Sequence, residues 1–299
     1  MNHQPTVIAL GFFDGVHRGH GALLRRTAER AAQLGVAPAV FTFDRPPKEV
    51  VTGHPVPLIN SPEDRRELIR RLYGIEQVIL APFDRAMMTM SWQNFITLLV
   101  EQYGAVHLVA GHDYHFGYKN EGDPEKLQNR CRELGLGCDI IPKVEYDGAT
   151  VSSTYIRTLV EAGSVERAAE FLAHPHCLSQ TVTHGRRIGR TIGVPTINFV
   201  LPASVLVPDH GVYITRVHLP DGANYPGVTN VGVRPTVSDS GTVSVETFLL
   251  GYDGDLYGQH IRLDFCRHLR PEKRFGSLEE LKAQILRDIA ETKAYFENN

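Results

Sequence analysis

Two histidines three residues apart, His17 and His20, follow an apolar run in the order Gly11-Phe12-Phe13-Asp14-Gly15-Val16-His17-Arg18-Gly19-His20. They stand where a strand gives way to a helix. A helix N-terminus offers unpaired N–H groups and the positive end of the dipole, which suits a polyphosphate. Imidazoles at that place add donors for charge that builds on a phosphate in the transition state. Asp14-Gly15 reads as a turn, and Gly19 as the point where a nucleotide approaches the backbone. The chemistry that fits is nucleotidyl transfer, attack on an α-phosphate with pyrophosphate leaving. A single histidine is most often structural, but a pair in H-x-G-H at a strand-to-helix junction calls for another explanation. Far downstream, Gly185, Gly189 and Gly193 recur at four-residue spacing through Gly185-Arg186-Arg187-Ile188-Gly189-Arg190-Thr191-Ile192-Gly193-Val194-Pro195-Thr196-Ile197-Asn198. Such a loop can cradle phosphates or be a plain structural turn.

The elements that position these residues follow from apolar periodicity. Strand-like runs cover Val7–Phe13, Ala37–Phe43, Gln77–Ala81, Val106–Ala110 and Asp139–Val144. The first helix runs from about Gly21 to Leu34, with Leu24, Ala28 and Ala31 on its apolar face. Others open at Ser61-Pro62, Ser91 and Asp123-Pro124, where a capping side chain or a proline at the first turn favours a start. Gly35, Gly74, Gly104 and Gly135 stand where these helices stop. The alternation predicts a doubly wound parallel α/β sheet with its ligand at the strand C-terminal ends. Short helices follow over about Ser153–Ala162 and Ser164–Ala173. After Pro175 the sequence turns β-rich, with alternating runs at Val212–Leu219 and Ile261–Phe265 and turn signals at Asp221-Gly222, Ser240-Gly241 and Asp253-Gly254. A last amphipathic helix opens with Ser277 and Glu280 as a capping box and places Leu278, Leu281, Ile285 and Ile289 on its apolar face. The second half therefore reads as a small antiparallel β-barrel with a C-terminal helix. The expected domains are 1–174 and 175–299.

Composition sets wider limits. The chain of 299 residues is 42% hydrophobic and 22% charged, as in an ordinary globular protein, and its length favours about two domains. A net charge of -3 gives no electrostatic case for nucleic acid. No apolar run is long enough to span a bilayer, and the first residues lack a signal-peptide pattern. Cys131, Cys138, Cys177 and Cys266 have neither metal-site nor disulfide-framework spacing. The expectation is a cytoplasmic protein with reduced thiols, no nucleic-acid or membrane partner, and a monomeric or weakly homo-oligomeric state.

The first motif resembles the HxGH nucleotidyltransferase superfamily. Val151-Ser152-Ser153-Thr154-Tyr155-Ile156-Arg157 and Gly111-His112-Asp113-Tyr114-His115-Phe116-Gly117 follow it. Later come Asn230-Val231-Gly232-Val233-Arg234-Pro235-Thr236, Val245-Glu246-Thr247 and Leu269-Arg270-Pro271-Glu272-Lys273-Arg274-Phe275. With the glycine-rich loop, this order looks like the bacterial bifunctional riboflavin kinase/FMN adenylyltransferase family. The resemblance spans Val7 to Asp288. It implies ATP-dependent phosphorylation of riboflavin to FMN, then adenylylation of FMN to FAD, with Mg2+ and ATP in both steps and flavins as substrates and products.

By that resemblance His17, His20 and Arg157 act on the ATP phosphates of the adenylyl transfer, and Phe13, Asp14, Gly15, Gly19, Ser153 and Thr154 bind that ATP. Hydroxyls and N–H groups at a helix start, with an arginine fork one turn in, agree physically with phosphate binding. Asp113 is implied near the flavin nucleotide. In the kinase half the resemblance places ATP on Gly185, Gly189, Arg190, Thr191, Gly193 and Pro195, Mg2+ on Thr196 and Asn198, and the general base on Glu246. Arg270 and Phe275 are implied to close over the flavin, although Phe275 also suits a hydrophobic staple for the last helix. Departures from the family pattern fall mostly in this half: Val194 and Ile197 replace a usual Phe and Ala, and Gly251 replaces an acid. An adenylyltransferase with a silent kinase module and a non-catalytic flavin-binding protein are the alternative readings.

Overall fold

The computed structural model describes residues 4–183, 194–202, 204–234 and 242–298. The chain folds as two compact units, Met1–Leu58 with Pro62–Ser153, and Ile59–Ser61 with Thr154–Asn299. In the first unit, strands β1 (Thr6–Leu10), β2 (Ala37–Phe43), β3 (Gln77–Ala81), β4 (Ala105–Gly111) and β5 (Gly137–Ile141) form one parallel sheet in the order β3-β2-β1-β4-β5. The strand order reverses between β1 and β4, so both C-terminal ends open on the crevice where ligands of such sheets bind. Helices α1 (Arg18–Leu34), α2 (Pro47–Thr52), α3 (Pro62–Tyr73), α4 (Arg85–Thr89), α5 (Trp92–Tyr103) and α6 (Pro124–Glu133) join the strands. A short hairpin, β6 (Glu145–Tyr146) and β7 (Ala149–Thr150), follows β5. Ile8, Leu10, Phe41, Phe95, Leu99 and Leu108 are buried together in one core cluster.

Local chemistry accounts for the boundaries. Ser91 Oγ accepts from Asn94 N at 3.2 Å to start α5, and Asp123 Oδ1 accepts from Lys126 N at 2.8 Å to start α6. Gly35 closes α1 in the left-handed region, with its N–H on the carbonyls of Ala31 and Ala32. Two expected limits move. The first strand ends at Leu10 rather than Phe13, because Phe13 takes φ +57° and leaves the extended region. The fifth runs over Gly137–Ile141 rather than Asp139–Val144, for Pro142 has no N–H to give the ladder. The first helix also begins at Arg18 instead of Gly21, and on it Thr27 is fully buried, its hydroxyl on the Leu23 carbonyl, while Ala28 is only half-buried.

The second unit has α7 (Ser153–Glu161) at its boundary, then α8 (Val165–Leu172) and six antiparallel strands: β8 (His176–Thr181), β9 (Thr196–Val200), β10 (Gly211–His218), β11 (Asn224–Arg234), β12 (Thr242–Leu249) and β13 (His260–Pro271). Their order is β8-β13-β10-β11-β12-β9. The sheet curls until Thr183, just past β8, meets Asn198 of β9 in an isolated bridge, with Thr183 N donating to the Asn198 carbonyl at 2.9 Å. Phe199, Tyr213, Val217, Val231, Val245 and Phe265 fill the inside, joined by Val165 of α8.

Helix α9 (Leu278–Glu297) covers this unit, and Ser277 caps it by accepting from Glu280 N at 3.2 Å. Glu280 reaches back one residue further than a capping box requires, accepting from Gly276 N at 3.0 Å. The expected apolar face is only partly the packed one. Leu278 is 57% exposed and Leu281, Ile285 and Ile289 are not fully buried, whereas Asp288 and Thr292 are the buried residues. The cause is Arg270 at the end of β13, whose Nε and Nη2 donate to the Asp288 carboxylate, the latter at 2.8 Å. A buried carboxylate is tolerated where a bidentate guanidinium meets it.

His176 on β8 is fully buried beside Phe265. Burial first, and the neighbouring His174 next, push its pKa down to about 4. The unfolded chain therefore binds a proton that the fold refuses, and stability declines as pH falls from about 6.5 towards 4. Going from pH 7 to pH 5 should remove about 2 kcal/mol through this group alone. Urea titrations of the parent and His176→Phe should show this as a smaller acid loss in the variant; equal losses would place the acid sensitivity elsewhere.

Candidate active site

A cavity of about 670 Å³ opens at the C-terminal edge of the parallel sheet, where Leu10-Gly11, Phe43, Gly111-His112 and Ile141-Pro142 end their strands. The chain leaves β1 through a tight reversal: Phe13 at φ +57°, Gly15 at +83° and Val16 at +43°. A phenylalanine and a β-branched valine in that region store strain, and both side chains are fully buried. The Phe12 carbonyl before the reversal accepts from Thr42 Oγ1 at 2.9 Å and from Arg65 Nη1 at 2.7 Å. The reversal delivers His17 to the N-cap of α1.

His17 Nδ1 accepts from His20 N at 3.2 Å, so its proton sits on Nε2. The two imidazoles stack with centroids 3.6 Å apart and planes 11° apart, and the Phe13 ring meets His20 edge-on at 5.2 Å. Burial first, then His17 and Arg65, hold the His20 pKa well below the usual imidazole value, so His20 is neutral at physiological pH. Its Nδ1 is sealed from solvent and has no hydrogen-bond partner among the described residues. Gly19 serves the pair directly. A Cβ there would stand 3.1 Å from His17 Cε1, so the missing side chain makes room for the ring.

Ser153 at the start of α7 donates its hydroxyl to the Asp14 carbonyl at 2.8 Å, tying that helix start to the reversal. Phe13, His17, Gly19, His20 and Ser153 thus line one cavity, while Asp14 and Gly15 support it from the buried turn. Asp113 lines the same cavity with its side chain 80% exposed. Thr154 is exposed and Arg157 half-buried; both belong to the second unit and neither lines the cavity. One stretch of the remaining wall is apolar, while His112, His115, Asn120 and Lys143 also line the cavity. Tyr114 and Phe116 stack at 5.3 Å, and Met87, Met88 and Met90 stand near them in the lining. Burial raises the Tyr114 phenol pKa, leaving it neutral. A polar helix start facing adaptable thioethers and aromatic rings suits a ligand that is polyphosphate at one end and planar at the other.

The second unit brings its own residues together through register. Asn198 and Asn230 both stand opposite Glu246, one on β9 and one on β11. Directly paired residues share a sheet face, and Thr196, two positions before Asn198, lies on that face too. Asn198 is 3% exposed, and Thr196 and Glu246 are half-buried. The alternate residues turn into the core, where Thr215, Thr229 and Thr247 form a buried hydroxyl chain at 2.7 and 2.8 Å. A recess of about 370 Å³ beside this row is lined by Val194, Phe248, Leu250, Leu286 and Ile289, with Lys282 and Lys293. Arg270, implied as a flavin contact, is held by Asp288 and lies 5.9 Å from the Phe275 ring. Pro195 is exposed, and Gly185, Gly189, Arg190, Thr191 and Gly193 lie outside the described residues.

Thr196, Asn198, Asn230 and Glu246 give this face a sparse set of oxygen atoms. It fits a Mg2+ ion held mainly by substrate phosphates and water, for which Thr196 and Asn198 are the protein ligands at hand. Among the described residues no group of three or more His, Cys, Asp or Glu could hold a metal by itself. Sequence reasoning gave no role to Arg65 or Asp288. Arg65 could have been found, because it stands at helical spacing from Leu68 and Ile69 on the buried side of α3.

Two family models match the chain in sequence order, FAD synthetase over residues 1–155 and riboflavin kinase over 172–296. The chain is 38% identical over 298 residues to the bifunctional riboflavin kinase/FMN adenylyltransferase of Pseudomonas fluorescens, covering 98% of this chain and 93% of that one. It is 37% identical to the Escherichia coli K12 enzyme of the same description, over 98% of this chain and 93% of the other. A solved structure of a macrolide-efflux protein from Streptococcus pneumoniae superposes with a TM-score of 0.85 at 29% identity, covering 97% of this chain and 94% of that one. No helix among the described residues is long and apolar enough to cross a membrane. On both family models and on relatives matched nearly end to end, the chain belongs to the bifunctional riboflavin kinase/FMN adenylyltransferase family.

Proposed function

We propose that the cavity of the first unit is where FMN is adenylylated and that the Glu246 face of the second unit is where riboflavin is phosphorylated. The chain is a riboflavin kinase and FMN adenylyltransferase, using ATP for both steps of FAD synthesis. The observation that carries the first assignment is the stacked imidazole pair at the start of α1, facing a cavity with a planar apolar wall. In this reading an FMN phosphate oxygen attacks the ATP α-phosphorus, the bond to the β-phosphate bridging oxygen breaks, and pyrophosphate leaves with that electron pair. His17 Nε2–H and neutral His20 donate to phosphate oxygens as negative charge builds. Ser153 keeps the phosphate-facing helix starts in place through Asp14, and Asp113 meets the flavin nucleotide at the mouth. Arg157 and Thr154 are retained as phosphate ligands on the strength of the motif alone.

For the kinase step Glu246 takes the riboflavin 5′-hydroxyl proton as that oxygen attacks the γ-phosphorus and ADP leaves. Thr196 and Asn198 hold Mg2+, which when bound neutralises charge on the phosphates. Phe248 and the apolar side of α9 receive the flavin ring, with Arg270 and Phe275 beside it. The working unit is a cytoplasmic monomer or weak homo-oligomer, without nucleic-acid or membrane partners, with residues 1–174 serving adenylyl transfer and 175–299 phosphorylation.

Substituting His17 or His20 by Ala should cut FAD formation about 10²–10³-fold, the scale of one preorganised donor. Product chromatography should show FMN formation nearly unchanged; equal loss of both in a folded variant rejects the two-site assignment. Glu246→Gln should slow FMN formation about 10²-fold, near the low end for a positioned base because a loose transition state leans on positioning. FAD made from supplied FMN should be normal, and a parent-like kinase rate would make Glu246 a mere face residue. Two fragments test the division of labour. Residues 154–299 should fold and make FMN but never FAD. Residues 175–299 should melt lower, since they lack α8, whose Val165 belongs to that core and whose Glu166 accepts from His268 N. FAD produced by either fragment overturns the assignment.

A further inference from the structure

Arg65 of α3 is 1% exposed, yet it is not among the residues that line the adenylyl-transfer cavity. Its guanidinium lies behind the strained reversal. Nη1 donates to the Phe12 carbonyl at 2.7 Å, Nη2 donates to the Phe43 carbonyl at 2.5 Å, and the guanidinium carbon sits 4.4 Å above the Phe12 ring. One side chain thus fastens the segment leaving β1 to the last residue of β2. With Thr42 Oγ1 on the same Phe12 oxygen, two donors fix the peptide that precedes Phe13. That peptide must be held, because the positive φ of Phe13 and Val16 is unfavourable for both residues. Phe13 in turn lies edge-on to His20, and His20 stacks on His17.

The contacts form a continuous series from Arg65 through Phe12 and Phe13 to the imidazoles. Burying a guanidinium is costly unless its donors are met; here carbonyl oxygens at the site's own backbone meet Nη1 and Nη2, while the sealed Nε has no hydrogen-bond partner among the described residues. A buried apolar side chain in that place would pack without donating to either carbonyl. We infer that Arg65 is a positioning residue for adenylyl transfer: it clamps the Phe12 and Phe43 carbonyls and so holds the Phe13 reversal in the form that aims His17 and His20 at the ligand. The inference rests on the reading of this cavity as the adenylyl-transfer site.

Arg65 also acts at a distance. It is one of the groups that hold His20 neutral, after burial and His17, and its own pKa is pushed down to about 10 by burial against the pull of Asp14, Glu63 and Asp44. Removing the cation should therefore let His20 take a proton at higher pH, whereas lysine should keep that field and part of the clamp.

The experiment uses the full-length enzyme with FMN, ATP and Mg2+, and reads kcat, KM for ATP and the pH profile of FAD formation. Arg65→Met should lose at least about tenfold in kcat, with KM changed less than about threefold, as expected when geometry rather than binding is lost. The acid limb of its profile should move to higher pH. Arg65→Lys should recover most of the rate and the parent limb. Thr42→Val, which removes only the second donor to Phe12, should lower kcat in the same direction by a smaller factor and serves if Arg65→Met does not fold. FMN formation should be unchanged in all three. A folded Arg65→Met at the parent rate overturns the inference, as do equal losses in the Met and Lys variants with an unmoved limb, or a folded Thr42→Val at the parent rate. His20→Ala, run alongside, separates the failures. A parent-like His20→Ala rejects the site itself, whereas a crippled His20→Ala beside a parent-like Arg65→Met rejects only the positioning role.

Discussion

The backbone reversal between β1 and α1 is the constraint from which the candidate site of the first unit follows. A parallel sheet brings its strand C-terminal ends to one edge, and the next helix has to start close by if its N-terminus is to face the same crevice. Here the turn is made in seven residues, Gly11 to His17, with three of them at positive φ. Only one of those three is a glycine. The fold keeps Phe13 and Val16 there by burying both completely and by hydrogen-bonding the carbonyl that precedes them. The product of that strain is a histidine N-cap that lines the cavity. His17 caps the helix start with Nδ1, which places its proton on Nε2.

The two units solve different electrostatic problems with different backbones. Adenylyl transfer develops charge on an α-phosphate, and in the reading proposed above the first unit meets it with neutral imidazole donors and a helix start. Phosphorylation of an alcohol needs a proton acceptor, and in the same reading the Glu246 carboxylate of the second unit is that acceptor. Its place is set by strict alternation. Thr229 and Thr247 face inward on β11 and β12, so Asn230 and Glu246 must face outward, beside Asn198 across the next strand. A one-residue slip in that pairing would bury the carboxylate and expose the hydroxyl chain, so register is part of the chemistry.

Much of this was legible in the sequence because the signals were local. Ser91, Asp123 and Ser277 cap the helices that their positions announced, and Gly35 and Gly104 end two of them in the left-handed region. The parallel sheet, the curled antiparallel sheet, the closing helix and the family follow from period and motif order. What was not legible depends on partners far apart in the chain. Phe13 looked like the last residue of a strand, since nothing nearby in sequence says that Arg65 and Thr42 will hold the preceding carbonyl. Leu278 looked like the start of a buried stripe, since nothing near it says that Arg270 will draw Asp288 inward instead. In both cases an arginine, buried for Arg65 and partly buried for Arg270, reorganised an element whose own periodicity pointed elsewhere.

Those two arginines show why a charged residue on the apolar side of a helix or at the end of a strand carries information that hydropathy discards. A buried guanidinium is tolerated only where fixed oxygen acceptors surround it, so its presence fixes the backbone or carboxylate that supplies them. Arg270 uses the Asp288 carboxylate to hold α9 against the barrel near the Glu246 face. Arg65 uses main-chain carbonyls and thereby acts on the conformation of the loop itself. The first arrangement secures an element; the second secures a single peptide plane. If the cavity is the adenylyl-transfer site proposed above, where donors must be aimed to within a fraction of an ångström, fixing that plane is the more direct way for a residue outside the cavity to act on the reaction within it.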